Sequence, residues 1–155
     1  LNIGHEKDFL TVGGMGHTSQ IALGIALQRK DRRVYCLDGD GSLIMHMGAL
    51  AINANMNCKN FKHIVFNNCA HDSVGGQSTV GGKIDMKSIA LNAGYKWGKV
   101  VSKEYEIKLA LNELENIDGP AFLEIQVKKG FRKSLGRPTI TPLQNKEIFM
   151  KFIAE

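Results

Sequence analysis

Arg33-Val34-Tyr35-Cys36-Leu37-Asp38-Gly39-Asp40-Gly41-Ser42 is the stretch on which the fold turns. Arg33 to Leu37 reads as a short buried strand. Glycines on both sides of Asp40 then allow a sharp turn and a close approach to whatever lies opposite. Ser42 to Leu50 reads as one helix, with Ser42 near its N-terminal cap. Phe61-Lys62-His63-Ile64-Val65-Phe66 is a second strand, closed by Asn67-Asn68. Parallel strands joined by a right-handed crossover end on the same edge of their sheet. Asp40 and Asn68 are therefore expected to converge, although they are far apart in sequence.

Working outward, Phe9 to Val12 reads as an earlier strand, stopped by Gly13-Gly14-Met15-Gly16. His17 to Gln28 reads as a helix, apolar at Ile21, Leu23, Ile25 and Leu27, which implies burial between layers or against a partner. Residues 69–82 form a glycine-rich loop, expected to order around a ligand. Asp85 to Ala93 is a helix capped by Asp85 and stopped by Gly94. Gly98 to Val101 is a strand, Glu104 to Asn116 an amphipathic helix, and Ala121 to Val127 another strand. A basic, proline-marked stretch over residues 128–142 leads to a last helix from Asn145 to Ile153. This alternation predicts an α/β fold, a parallel sheet with helices on both faces. Residues 1–155 are expected to form a single domain. Leu1 in place of an initiator methionine, with a strand almost at once, suggests a fragment or excised domain.

Composition narrows the chemistry. The chain has 155 residues, 43% of them hydrophobic, and 17 glycines, enough for a sizeable core with tight strand–helix turns. No apolar run is long enough to span a membrane, and no signal-peptide pattern opens the chain. Cys36, Cys58 and Cys69 show neither disulfide nor zinc spacing, which suggests a reducing, cytoplasmic setting. The net charge of +5 arises from scattered lysines without an aromatic-basic face, which argues against nucleic acid and suits an anionic cofactor and substrate. No G-x-G-x-x-G follows the first strand, so a dinucleotide site fits poorly.

Two hard oxygen ligands beside a helix N-terminus suit a magnesium-bound diphosphate. The Gly39-Asp40-Gly41 and Asn67-Asn68 motifs, with residues 42–66 between them, resemble the diphosphate-binding signature of thiamine diphosphate enzymes. The stretch from Asn67 to Gly81 is similar to the phosphonopyruvate decarboxylase branch of that family. So are the opening from Phe9 to His17, the block from Tyr35 to Ala51, and Leu135 to Thr139. The chain departs from the pattern at Cys69, where glycine is usual, and at Ser78, where proline is usual.

The resemblance implies that Asp40, Asn68 and the carbonyl of Ala70 hold magnesium. It implies that Gly39, Gly41 and Ser42 cradle the diphosphate, with Ser73 adding a hydroxyl or an amide. Gly13, Gly14 and Met15 would hold the cofactor rings, with Met15 as the wedge that bends the cofactor and the Gly13 carbonyl accepting from its 4′-amino group. His71 has two readings, a proton donor to substrate and a plain hydrogen-bonding loop residue. The other four histidines read as surface or packing residues. Arg132 and Arg137 are either clamps for a phosphonate or solvated tail charges.

The activity implied is decarboxylation of the small anionic 2-oxoacid phosphonopyruvate to phosphonoacetaldehyde, with sulfopyruvate as the alternative substrate. A glutamate that such enzymes draw from a separate pyrimidine-binding domain or subunit has no place before Gly13, so a homo- or hetero-oligomer is expected. Two rivals stand beside this reading. A ferredoxin-linked oxidoreductase would need clustered cysteines, and a non-catalytic domain would bind cofactor only.

Overall fold

Val34–Gly39 (β1) and Phe61–Asn67 (β2) form the parallel pair expected around the two motifs, in register from Val34 opposite Phe61 to Gly39 opposite Phe66. β2 pairs with Ala121–Gln126 (β6), and β6 with Trp97–Val101 (β5), all parallel. The resulting sheet runs β1-β2-β6-β5. These strands belong to a computed structural model that describes residues 5–136 and 138–155. The chain divides into two compact units, residues 16–130 and residues 1–15 with 131–155.

In the first unit, β2 and β6 are flanked on both sides, so they bury both faces and read as nearly continuous apolar runs. Alternation sends Phe61, Val65 and Phe122, with Cys36 of β1, to one face. There they pack on Thr18–Gln28 (α1), Ala49–Asn55 (α3) and Met86–Ala93 (α4) through Leu23, Ala26, Leu50, Met86 and Ala90. Ile64, Leu123 and Ile125 point the other way, where Glu104–Asn116 (α5) covers them with Ala110 and Leu114. Helices on both faces of a parallel sheet are thus the observed architecture. Over β1 the second face has no such cover among the described residues, and Tyr35, Leu37 and Phe66 are 43%, 58% and 39% exposed.

Local signals set most boundaries. The Asp85 carboxylate accepts the Ser88 amide at 2.9 Å, and Gly94 ends α4 at a φ of 114°, a left-handed conformation suited to glycine. The Glu106 carboxylate reaches back to the Ser102 and Lys103 amides at 3.3 and 3.2 Å, satisfying donors that α5 leaves open.

Two expectations need correction. The single helix over 42–50 is two, Asp40–Met45 (α2) and α3, because His46 leaves helical geometry at φ −134° and ψ 49°. Asp40 opens α2 and Ser42 is its third residue, so Ser42 is not the cap; that position falls to the extended Gly39. Phe9 to Val12 is not a strand either. In its own unit the backbone there is tied to Pro142–Ala154 (α6): the Asn145 side chain accepts the Leu10 amide at 2.9 Å and donates to the Asp8 carbonyl at 2.8 Å. Phe9 stacks on Phe149 with centroids 5.5 Å apart. Side-chain contacts satisfy this segment where a ladder would otherwise be needed.

Candidate functional site

β1 and β2 end side by side at the carboxyl edge of the sheet, and the chemistry gathers there. Asp40 follows the extended Gly39 and is 1% exposed. One of its carboxylate oxygens accepts the Thr79 hydroxyl. A Cβ added to Gly81 would sit 2.5 Å from that oxygen and 2.7 Å from the Asn67 amide oxygen. An oxygen from the first residue of α2 and one from the end of β2 therefore crowd one spot, which stays open only because residue 81 has no side chain. Asn67 is anchored from behind, its amide donating to the Gly81 carbonyl at 3.0 Å and to the buried Glu124 at 2.8 Å.

Asn68 turns toward the following loop. Its amide donates to Asp72 at 2.8 Å, and its oxygen accepts the Ala70 amide at 3.1 Å. The loop carries a small hairpin of its own, Ala70–His71 (β3) against Gln77–Ser78 (β4). The Cys69 carbonyl accepts the Thr79 amide at 3.0 Å, so by alternation the Ala70 carbonyl faces away from β4 and stays available. Cys69 itself is held at φ 56°, a conformation in which a side chain costs on the order of 1 kcal/mol. The His71 ring lies directly over Gly41, where any Cβ would overlap it. Ser73 is exposed in a 3₁₀ turn, Asp72–Val74.

Ser42 is committed within the protein. Its hydroxyl oxygen accepts the Gly16 amide at 2.9 Å, and the hydroxyl helps hold the nearby Asp38 carboxyl below its ordinary value. Only its backbone amide remains for an anion. Beneath this turn runs a buried polar chain. Asp38 accepts the Gly39 amide at 2.9 Å and lies 3.5 Å from His63 Nε2. His63 Nδ1 is 3.2 Å from the Tyr95 hydroxyl, and Asn53 donates to that hydroxyl at 3.1 Å. Burial alone would raise the Asp38 carboxyl; contacts with His63, Ser42 and the Gly39 amide outweigh it and hold the group below its ordinary value. Burial pushes the Cys36 thiol and the Tyr95 hydroxyl up, which keeps both neutral.

Gly13, Gly14 and Met15 belong to the other compact unit, where Gly13 has a φ of 73° and Met15 is half-buried. Arg132 is exposed, and Arg137 lies outside the described residues. Asp72, Thr79 and Glu124 stand among the site's contacts without having been singled out in the sequence, and Asn67 was marked there as part of the Asn67-Asn68 motif but given no role of its own. Glu124 alone left a trace there, a charge in the middle of an apolar strand.

The arrangement offers hard oxygens suited to a divalent cation and open backbone amides at the first turn of α2, with glycines where a ligand must come close. That donor set fits a magnesium diphosphate. Residues 4–125 match the family described as thiamine pyrophosphate enzyme, C-terminal TPP binding domain. The chain is 33% identical over 148 residues to phosphonopyruvate decarboxylase of Streptomyces viridochromogenes, covering 96% of this chain and 37% of that protein. It is 33% identical over 150 residues to the sulfopyruvate decarboxylase beta subunit of Methanothermobacter thermautotrophicus, covering 96% of this chain and 75% of that subunit. A crystal structure from Mycobacterium smegmatis, described as a thiamin diphosphate-dependent enzyme, superposes with a TM-score of 0.62 at 26% identity, over 76% of this chain and 23% of the other. This chain thus spans little more than a third of the first relative, and it belongs to the family of C-terminal TPP-binding domains of thiamine pyrophosphate enzymes.

Proposed function

We propose that the chain is the diphosphate-binding domain, over residues 1–155, of a thiamine diphosphate-dependent decarboxylase that converts phosphonopyruvate to phosphonoacetaldehyde. The observation that carries this reading is the crowding of the Asp40 and Asn67 oxygens around Gly81, beside the first turn of α2. Asp40, Asn68 and the Ala70 carbonyl are the cation ligands in this reading, with Asn67 as a neighbour that holds their geometry. The amides of Gly41 and Ser42 take the diphosphate, with Gly39 leaving room for it and Ser73 at its rim. Gly13, Gly14 and Met15 hold the rings.

The bound cofactor supplies an electron sink for the carbon–carbon bond that breaks. The chain's own residues bind, orient and protonate. The His71 ring, over Gly41, stands where an imidazole reaches a reacting group next to the diphosphate. The loop that carries it closes over Asp40 through Thr79 and shields that carboxylate, which would hold the cation, from bulk solvent. Arg132 and Arg137 are the basic side chains of the tail suited to an anionic head group. A pyrimidine-binding domain or subunit, in a homo- or hetero-oligomer, completes the site with a glutamate. The free thiols Cys36, Cys58 and Cys69 suit a cytoplasmic setting, and among the described residues no helix is long and apolar enough to cross a membrane.

Sulfopyruvate is the second reading, favoured by the equal identity to the sulfopyruvate decarboxylase subunit. Steady-state assay of the full protein on both oxoacids, with and without magnesium and thiamine diphosphate, tests the proposal. Cofactor-dependent release of carbon dioxide from phosphonopyruvate, at a kcat/KM above that for sulfopyruvate, is expected. Preference for sulfopyruvate selects the second reading, and turnover of neither ends both.

A further inference from the structure

His63 is 0% exposed, sits in the middle of β2, and touches no residue expected to meet the cofactor. Its two nitrogens nevertheless join two parts of the molecule. Nδ1 lies 3.2 Å from the Tyr95 hydroxyl and Nε2 lies 3.5 Å from an Asp38 carboxylate oxygen. The proton positions follow from the neighbours. Asn53 donates to the Tyr95 oxygen at 3.1 Å, while its own amide oxygen accepts from Gln20 at 2.6 Å. The Tyr95 proton is therefore free for His63 Nδ1, which makes Nδ1 the acceptor and places the imidazole proton on Nε2, facing Asp38. Among the described residues Nε2 has no hydrogen-bond partner, and the Asp38 carboxylate at 3.5 Å is the acidic group it faces. A buried donor without a partner is costly, so the charge of Asp38 is what offsets that cost in the core.

Asp38 in turn faces the diphosphate turn. Its carboxylate takes the Gly39 amide at 2.9 Å, and the nearby Ser42 hydroxyl, whose oxygen takes the Gly16 amide at 2.9 Å, helps hold it ionised. The carboxylate is thus tied to the start of the turn, and His63 is the group that faces it from below. A metal does not explain the cluster better. Cys36, Asp38 and His63 offer ligand atoms within 4.8 Å of one another, but they are three buried groups without a fourth. A structural zinc needs four ligands at about 2.0–2.3 Å. The Cys36 thiol is also kept protonated by burial.

We propose that His63 is a positioning residue for cofactor binding: through Asp38 it fixes Gly39 and Ser42. The buried chain Gln20–Asn53–Tyr95–His63–Asp38 thereby sets how tightly the turn grips a diphosphate. The inference rests on the functional reading above. It adds a role for residues on α1, α3 and β2 that never touch the ligand, and it makes helix packing on one sheet face a determinant of affinity at the sheet edge.

The test is calorimetric titration of the full protein with thiamine diphosphate in saturating magnesium, alongside urea unfolding of each variant. His63→Phe should weaken binding by about tenfold, the scale of a buried polar contact to a charged group. His63→Gln, which can again present an N–H to Asp38, should recover to within about threefold of the parent. Asp38→Asn and the double variant His63→Phe/Asp38→Asn should bind equally weakly, because the histidine acts only through the carboxylate. Tyr95→Phe removes a single oxygen and should cost about threefold even if His63→Phe does not fold. Losses at His63 and Asp38 that add, or His63→Phe and Tyr95→Phe binding like the parent, overturn the proposal. A parent protein that binds no thiamine diphosphate overturns the functional reading instead.

Discussion

Asp72 holds Asn68: one carboxylate oxygen accepts the Asn68 amide at 2.8 Å and, from the far end of the same unit, the Gly130 amide at 2.7 Å. The contact fixes which way the Asn68 amide points, since only its nitrogen can donate. It also ties the loop to the segment after β6, where the Lys129 amine donates to the Gly76 carbonyl. Asp72→Ala should therefore raise the magnesium concentration needed for cofactor binding by roughly tenfold or more, the value of a hydrogen bond to a charged group. A magnesium titration of cofactor binding in the full protein measures this. An unchanged midpoint would show that Asn68 holds its orientation without Asp72.

Gly81→Ala should disable the site without unfolding the chain. The new methyl would fall 2.5 Å from an Asp40 oxygen and 2.7 Å from the Asn67 oxygen, well inside contact distance. Asp40 is buried and cannot swing into solvent, so the loop or the carboxylate must shift. The expected result is loss of magnesium-dependent cofactor binding, with an unfolding midpoint near that of the parent. Normal binding by the alanine variant would disprove the crowding.

Asp38 gives the fold an acid limb. Its carboxyl is held below the ordinary value, so the contacts of the ionised form stabilise fully above the unfolded value of about 3.9. They are lost as pH falls through the lower folded value. Asp38→Asn cannot titrate. The parent should accordingly lose stability faster than the variant as pH falls below about 4. Urea midpoints measured across that range provide the check, and parallel curves would remove Asp38 from the account.

Leu114→Ala separates stability from function. Leu114 is 0% exposed on the sheet face opposite the site, packed with Ile64 and Leu123. Its truncation should cost about 2–5 kcal/mol of unfolding free energy and leave cofactor affinity unchanged in the folded fraction. Denaturant unfolding and calorimetry on one preparation would reveal any coupling between the two faces.

The parts of this protein legible in its sequence are those governed by local rules. Asp85 and Gly94 bracket α4 because a cap and a left-handed stop act within one turn. α5 runs from Glu104 to Asn116, as its apolar spacing requires. The Asp40 and Asn67 motifs could be placed on one edge because parallel pairing leaves few alternatives. The supports of the site were not legible. Asn67 depends on Glu124 and Asp40 on Thr79, partners dozens of residues away that no local pattern connects. Phe9 to Val12 has strand-like side chains but no neighbouring strand, and the side chain of Asn145 takes its place. The break at His46 follows packing, since Met45, His46 and Met47 are compatible with a continuous helix by propensity.

β1 is an edge strand among the described residues, with Tyr35 and Leu37 bare on one face and a free row of backbone donors and acceptors along its side. Such an edge is a template for strand pairing between molecules. The colloidal behaviour of a preparation containing only these 155 residues should reflect this, with turbidity that grows with concentration and salt, seeded at residues 34–37. A charged residue in place of Leu37 would keep such a preparation clear. The remedy lies next in sequence to the carboxylate that braces the diphosphate turn, so solubility and ligand grip in this chain share almost the same few ångströms of backbone.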